Sequence, residues 1–140
     1  MAKVLAIDYG QKRVGFAATD DLQIIASGLT TVHVKDCIAF IEDYLAKNDV
    51  ECIVVGEAKD LQNNPAESAR FIEPFVKHLS RKFPNIKLER VDERFTSKMA
   101  FQTMIDSGLK KKARQNKALI DEISATIILQ SYLEQKNRAF

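Results

Sequence analysis

A chain of 140 residues, 46% of them hydrophobic, carries enough apolar side chains for one core and one domain, taken as residues 1–140. The 21 Lys and Arg residues against 19 acidic ones leave a net charge of +2, which excludes strong non-specific attraction to polyanions, so any such site has to come from local clustering. Two cysteines, Cys37 and Cys52, without metal-ligand spacing exclude a disulfide framework, and no apolar run approaches the roughly 20 residues of a membrane span or the blocks of a signal peptide. The expectation is a soluble cytoplasmic protein with no membrane partner and reduced, buried thiols.

In chain order, residues 3–9 read as an apolar strand buried on both faces, and Arg13–Thr19 and Ile24–Val32 as two further strands of a meander. From Lys35 to Lys47 the apolar positions Ile38, Ile41 and Leu45 recur at helical spacing, and Cys52–Val55 gives a short strand ending at Gly56. A polar loop over 57–64 leads to a helix opened by Pro65, with Phe71, Ile72, Phe75, Val76 and Leu79 on one face and Pro74 as a point of kink or restart. Ile86–Val91 is the fifth strand. Thr96 or Ser97 caps a helix that Gly108 stops after about Ser107, a basic loop follows, and Lys117–Gln135 is the last helix. The order βββαβαβαα predicts an α/β domain, a mixed five-stranded sheet with helices on both faces.

Acidic residues stand at three places that this topology brings together. Asp8 ends an otherwise apolar strand, where a lone carboxylate costs several kcal/mol unless paired; Asp92 and Glu93 end the fifth strand; Asp121 lies near the start of the last helix. Ligands of open α/β sheets gather beyond the carboxyl ends of parallel strands, and an all-oxygen cluster suits Mg²⁺ or Mn²⁺. Two such ions about 4 Å apart serve phosphodiester cleavage. Each residue also has a plainer reading. Asp8 can cap its turn, Asp92-Glu93-Arg94 can be a surface ion-pair cluster, and Asp121-Glu122 can complement a helix dipole.

Asp8-Tyr9-Gly10-Gln11-Lys12-Arg13-Val14-Gly15, Ile53-Val54-Val55-Gly56, Asp92-Glu93-Arg94-Phe95-Thr96-Ser97, and Asp121 through Ser124-Ala125 to Ile127-Ile128-Leu129-Gln130 and Tyr132-Leu133 resemble, in that order, the motifs of the YqgF family, also called RuvX. The resemblance covers nearly the whole chain. It implies a ribonuclease H-like fold related to the RuvC resolvases, and a nuclease that matures the 5′ end of pre-16S ribosomal RNA or resolves Holliday junctions. It also implies that Asp8, Glu93 and Asp121 are the catalytic, metal-binding carboxylates, with Asp92 the less favoured of its pair.

The chain departs from the family pattern after its fourth strand, where Glu57-Ala58-Lys59-Asp60 replaces the usual apolar residue, Pro and Asn/Gly-rich loop. Glu57 is read either as a further metal ligand or as a loop residue held by Lys59. The loop Lys110-Lys111-Lys112-Ala113-Arg114-Gln115-Asn116-Lys117 is either a solvated charge run or, beside carboxylates that repel a phosphate backbone, a grip on nucleic acid that Lys12, Arg13, Arg94 and Lys98 extend. His33 and His78 lack partners at ligand spacing and are expected to be structural or solvated. The resulting expectation is a Mg²⁺- or Mn²⁺-dependent endonuclease acting on structured RNA, above all a ribosomal RNA precursor or its particle, as a monomer or a homodimer. Its rivals are a resolvase of branched DNA, an actin-like ATPase, for which the chain has one domain where two are needed, and a non-catalytic nucleic-acid or ribosome-binding module.

Overall fold

The computed structural model describes residues 2–57, 69–92 and 117–138. Its elements are β1 (Lys3–Tyr9), β2 (Arg13–Thr19), β3 (Ala26–His33), a 3-10 turn (Val34–Asp36), α1 (Cys37–Lys47), β4 (Val50–Glu57), α2 (Ala69–Lys82), β5 (Lys87–Asp92) and α3 (Lys117–Arg138). The five strands form one sheet in the order β3-β2-β1-β4-β5. The pairs β1–β2 and β2–β3 are antiparallel, while β1–β4 and β4–β5 are parallel. The mixed sheet expected from the sequence is therefore present, with the carboxyl ends of β1, β4 and β5 along one edge.

Strand alternation divides the core into two layers. Leu5, Ile7, Val14, Phe16, Ile53 and Val55 pack against Cys37 and Ile41 of α1 and Ile72, Phe75 and Leu79 of α2. On the other face Val4, Ala6, Ala17, Cys52, Val54 and Val91 meet Ala125, Ile128 and Leu129 of α3. The side chains from Val4 to Ile7 are fully buried, as a central strand covered on both faces requires. Full burial of each large aliphatic side chain contributes about 1.5–3 kcal/mol.

Boundaries shift where local hydrogen bonds compete with periodicity. Ile24 and Ile25 are apolar and β-branched, yet β3 begins only at Ala26, because both their N–H groups donate to Asp20 Oδ1, at 2.8 and 3.0 Å. The Asp20 side chain thus builds a loop in place of a ladder, with Gln23 in the left-handed region at φ 57°. These backbone donors, Ile25 first, also hold the Asp20 carboxyl below its ordinary range. α1 starts two residues later than expected because His33 Nδ1 accepts from the Lys35 N–H at 3.1 Å and shapes the 3-10 turn before it. β4 is longer than Cys52–Val55 at both ends, α3 runs on to Arg138, and β5 is offset by one residue. α2 continues through Pro74 without restarting. Its proposed opening at Pro65 and the helix over 96–107 lie outside the described residues.

Both cysteines are buried and free, as expected. Burial pushes the Cys37 thiol up to about 12 and raises that of Cys52.

Candidate functional site

The ladder registers set Asp8 in a row across the sheet. On β1 the positions Val4 and Ala6 face α3, and the two-residue period puts Asp8 on the same face. Asp8 pairs with Gly15 of β2; Ile7 pairs with Val55 of β4, so Gly56 comes next beside Asp8; and Gly56 pairs with Val91 of β5. The row is Gly15, Asp8, Gly56, Val91, with a glycine on either side of the half-buried carboxylate. Neither neighbour carries a side chain that would fill the space above the sheet.

Gly15 also determines where α3 lands. A Cβ built on it would lie 2.2 Å from the Asp121 carbonyl oxygen, inside any permitted contact, so the first part of α3 rests on the β2 backbone next to Asp8. The same register puts Arg13 on the face of Gly15 and Ala17, two and four residues on. From there the Arg13 Nε donates to Asp121 Oδ2 at 2.8 Å, with the two side chains 40% and 22% exposed. Such charge-assisted bonds are stronger than neutral ones. Further along α3, the Glu122 side chain lies over Gly28 of β3. Two strand glycines thus allow one helix to approach the sheet and bring Asp121 to Asp8.

The turn between β1 and β2 closes this end of the sheet. Gly10 N–H donates to the Arg13 carbonyl at 3.0 Å, leaving Gln11 and Lys12 exposed at the tip, and the Val34 N–H donates to the Lys12 carbonyl at 2.9 Å. A Cβ on Gly10 would stand 2.7 Å from the Arg13 carbonyl oxygen, so the tight turn requires glycine. On the far side, Arg90 of β5 holds Glu73 of α2 through both guanidinium Nη atoms, each at 2.8 Å, and reaches the carbonyls of Val55 and Gly56 at 3.2 Å. That contact keeps the Glu73 carboxyl below its ordinary range. It also ties the end of β4, beside Asp8, to α2.

The donors gathered here are carboxylate oxygens, which suit a hard divalent cation such as Mg²⁺ or Mn²⁺. Among the described residues the site holds two acidic groups, Asp8 and Asp121, and no cluster of three metal-ligating side chains. One turn along from Asp121, the fully buried Ser124 Oγ finds no hydrogen-bond partner among the described residues. A buried hydroxyl of this kind calls for a polar guest, water included. The chemistry of the donor set fits a metal.

Of the sequence-derived candidates, the structure brings together Asp8, Asp121 and Arg13, and it leaves Lys12 at the exposed turn of the same edge. Glu57 pairs with Asp92 at the ends of β4 and β5, one residue past Gly56 and therefore out of phase with the row of Asp8. Lys117 opens α3. Glu93, Arg94, Lys98, Lys110, Lys111, Lys112 and Arg114 lie outside the described residues. Sequence reading missed the pairing of Arg13 with Asp121, having placed Arg13 only against phosphate, and it missed Gly15 as the seat of α3. The i, i+2 spacing of Arg13 and Gly15 sets both on one face of β2, but nothing in the sequence points that face at Asp121.

Comparison with known proteins places this geometry in context. The family model described as "RuvX: Holliday junction resolvase" matches residues 2–135. A protein of Flavobacterium psychrophilum named "Putative pre-16S rRNA nuclease" is 62% identical over 136 residues, covering 97% of this chain and 99% of its own. A Bacteroides thetaiotaomicron protein of the same name is 56% identical over 97% and 99% of the two chains. Among solved structures, the Fowlpox virus resolvase bound to Holliday junction DNA superposes with a TM-score of 0.59 at 14% identity, covering 96% of this chain and 98% of that one. RuvC of T. thermophilus with a Holliday junction substrate gives 0.56 at 17% identity, covering 96% of each. At such identities the likeness shows the fold alone, and the fold is the ribonuclease H-like one expected from the sequence.

Proposed function

The chain belongs to the RuvX family, a family of nucleases, and from that premise we propose that it is a metal-dependent endonuclease of the cytoplasm that trims the 5′ end of pre-16S ribosomal RNA. The observation that supports this reading is the seating of the Asp121 backbone on Gly15, the strand partner of Asp8, at the sheet edge where α/β folds bind ligands. Relatives more than 50% identical over nearly their full length carry the pre-16S rRNA nuclease name.

In this reading Asp8, Asp121 and Glu93 hold Mg²⁺ or Mn²⁺, which supplies Lewis-acid stabilisation of the phosphodiester oxygens and an activated water. The resemblance of Asp92-Glu93-Arg94 to the family motif supports Glu93 over Asp92. Asp8, on the central strand and flanked by glycines, would offer its carboxylate to the metal at the sheet edge. Lys12, Arg94, Lys98, Lys110, Lys111, Lys112, Arg114 and Lys117 hold the flanking phosphates, which the carboxylates alone would repel. Glu57 is the weaker candidate for a further ligand. Precursor ribosomal particles are the partner that such a substrate entails.

A branched DNA substrate is the second reading, favoured by the description of the family model and by structural neighbours bound to Holliday junctions. One experiment separates the two. Purified protein is given a 5′-extended 16S precursor fragment and a four-way DNA junction, each with Mg²⁺, with Mn²⁺ and with a chelator. Metal-dependent cutting of the RNA at a rate at least about tenfold above the junction, a difference of about 1.4 kcal/mol in barrier, is expected. Preferential, symmetric cutting of the junction would overturn the RNA assignment and keep the nuclease.

A further inference from the structure

We propose that Arg13 is the built-in counter-ion of Asp121, which a divalent metal has to outcompete, so that this one side chain sets how much metal the site requires. The inference rests on the reading of Asp8 and Asp121 as metal ligands. Its own footing is the Arg13 Nε to Asp121 Oδ2 contact at 2.8 Å and the fold that imposes it. The backbone of Arg13 is held in place. Its carbonyl closes the Gly10 turn, and its backbone is the first β2 residue of the ladder, paired with His33 of β3. Asp121 is equally fixed, because its carbonyl lies on Gly15, two residues along the same strand. The pair is a property of the strand and helix backbones.

The contact engages Asp121 through one oxygen, Oδ2. Two consequences follow from the charges. Without metal, Arg13 neutralises the Asp121 carboxylate, which stabilises the folded chain. With metal on Asp121, the guanidinium and the cation would share one carboxylate, and their repulsion would subtract from affinity. Removing the positive charge therefore strengthens metal binding while weakening the metal-free fold. A residue that merely oriented Asp121 for the metal would do the opposite, since its loss would weaken binding.

The test is direct Mn²⁺ binding, read by calorimetry or by loss of the free-ion electron paramagnetic resonance signal, on the full chain. Arg13→Gln is expected to bind Mn²⁺ about tenfold more tightly than the wild type, the size expected for a single charge acting on a divalent ion about 6 Å away in a water-like dielectric. It should also melt earlier without metal and recover that loss as Mn²⁺ is added. Arg13→Lys, which keeps the charge, should stay near wild type and serves as the check that the site is intact. In an Asp121→Asn background the tightening by Arg13→Gln should shrink, because the competition for the Asp121 carboxylate is gone while the repulsion between guanidinium and cation remains. Binding that depends on Asp8 and Asp121 but is unchanged or weaker in Arg13→Gln would overturn this inference alone. Mn²⁺ binding indifferent to Asp8→Asn and Asp121→Asn would overturn both it and the metal-site reading.

Discussion

At the scale of single residues, two glycines that face α3 allow opposite predictions for the same substitution. A methyl group on Gly15 would meet backbone atoms of Asp121 and Glu122, which cannot move without lifting α3, whereas a methyl on Gly28 would meet only side-chain atoms of Glu122, from Cγ to Oε1, which a change of rotamer can move aside. Gly15→Ala should therefore destabilise the protein by about 1–3 kcal/mol, the range for overpacking, and weaken Mn²⁺ binding through displacement of Asp121. Gly28→Ala should do neither, and denaturant unfolding with a metal titration on both variants checks the contrast. Glu57→Gln is expected to move the Mg²⁺ dependence of cleavage to higher concentration only if Glu57 is a ligand. An unchanged titration would leave Glu57 outside the metal's shell. Asp8 stood out as a candidate because it follows a run as apolar as Val4 to Ile7. The pairing of Arg13 with Asp121 was not, since it joins positions 108 residues apart and depends on the absence of a side chain at Gly15.

At the scale of elements, the strands and the crossover were legible because their periods are clean: β1 and β2 fall at the expected bounds, and α1 and α3 carry apolar stripes that meet opposite faces of the sheet. The start of β3 was not, because two hydrogen bonds from one side chain, Asp20, outweigh the β propensity of Ile24 and Ile25. Arg90 illustrates an element contact that pattern reading does not see. It ties β5 to α2 through Glu73 and to the end of β4 through two carbonyls. Arg90→Ala should cost about 1–2 kcal/mol, within the range for lost charged hydrogen bonds on a partly exposed pair. The pH dependence has a definite sign. The Glu73 carboxyl sits below its ordinary value when folded, so its contribution is present above the unfolded value near about 4.3 and is lost as pH falls through the folded one. The stability gap between wild type and Arg90→Ala should accordingly narrow in acid, and urea unfolding at pH 7 and pH 3 measures it. A gap that stays constant would mean that the carbonyl contacts, and not Glu73, make the difference.

At the scale of the whole molecule, a nearly neutral chain must bind a polyanion by placing its charges and not by their number. In the proposed function, with Arg13 paired to Asp121, the grip on phosphate falls to Lys12, Arg94, Lys98 and the basic run from Lys110 to Lys117. Neutralising Lys110, Lys111, Lys112 and Arg114 together should reduce the slope of log affinity against log salt by about 0.7 per lost contact on single strands and about 0.9 on duplex, with less change in the rate at saturating substrate. An unaltered slope would return those residues to solvent. Among the described residues no helix is long and apolar enough to cross a membrane. The central claim is that Asp8 and Asp121 meet over Gly15 to hold the metal that cuts a phosphodiester bond. The most direct measurement compares the Mn²⁺-dependent cleavage rate of the wild type with those of Asp8→Asn and Asp121→Asn on one structured RNA, with folding of each variant verified by thermal melting. The account predicts that both variants lose cleavage by at least about a thousandfold, a barrier change of roughly 4 kcal/mol, while their metal-free melting temperatures stay within a few degrees of wild type. Wild-type cleavage that persists in either folded variant would contradict it.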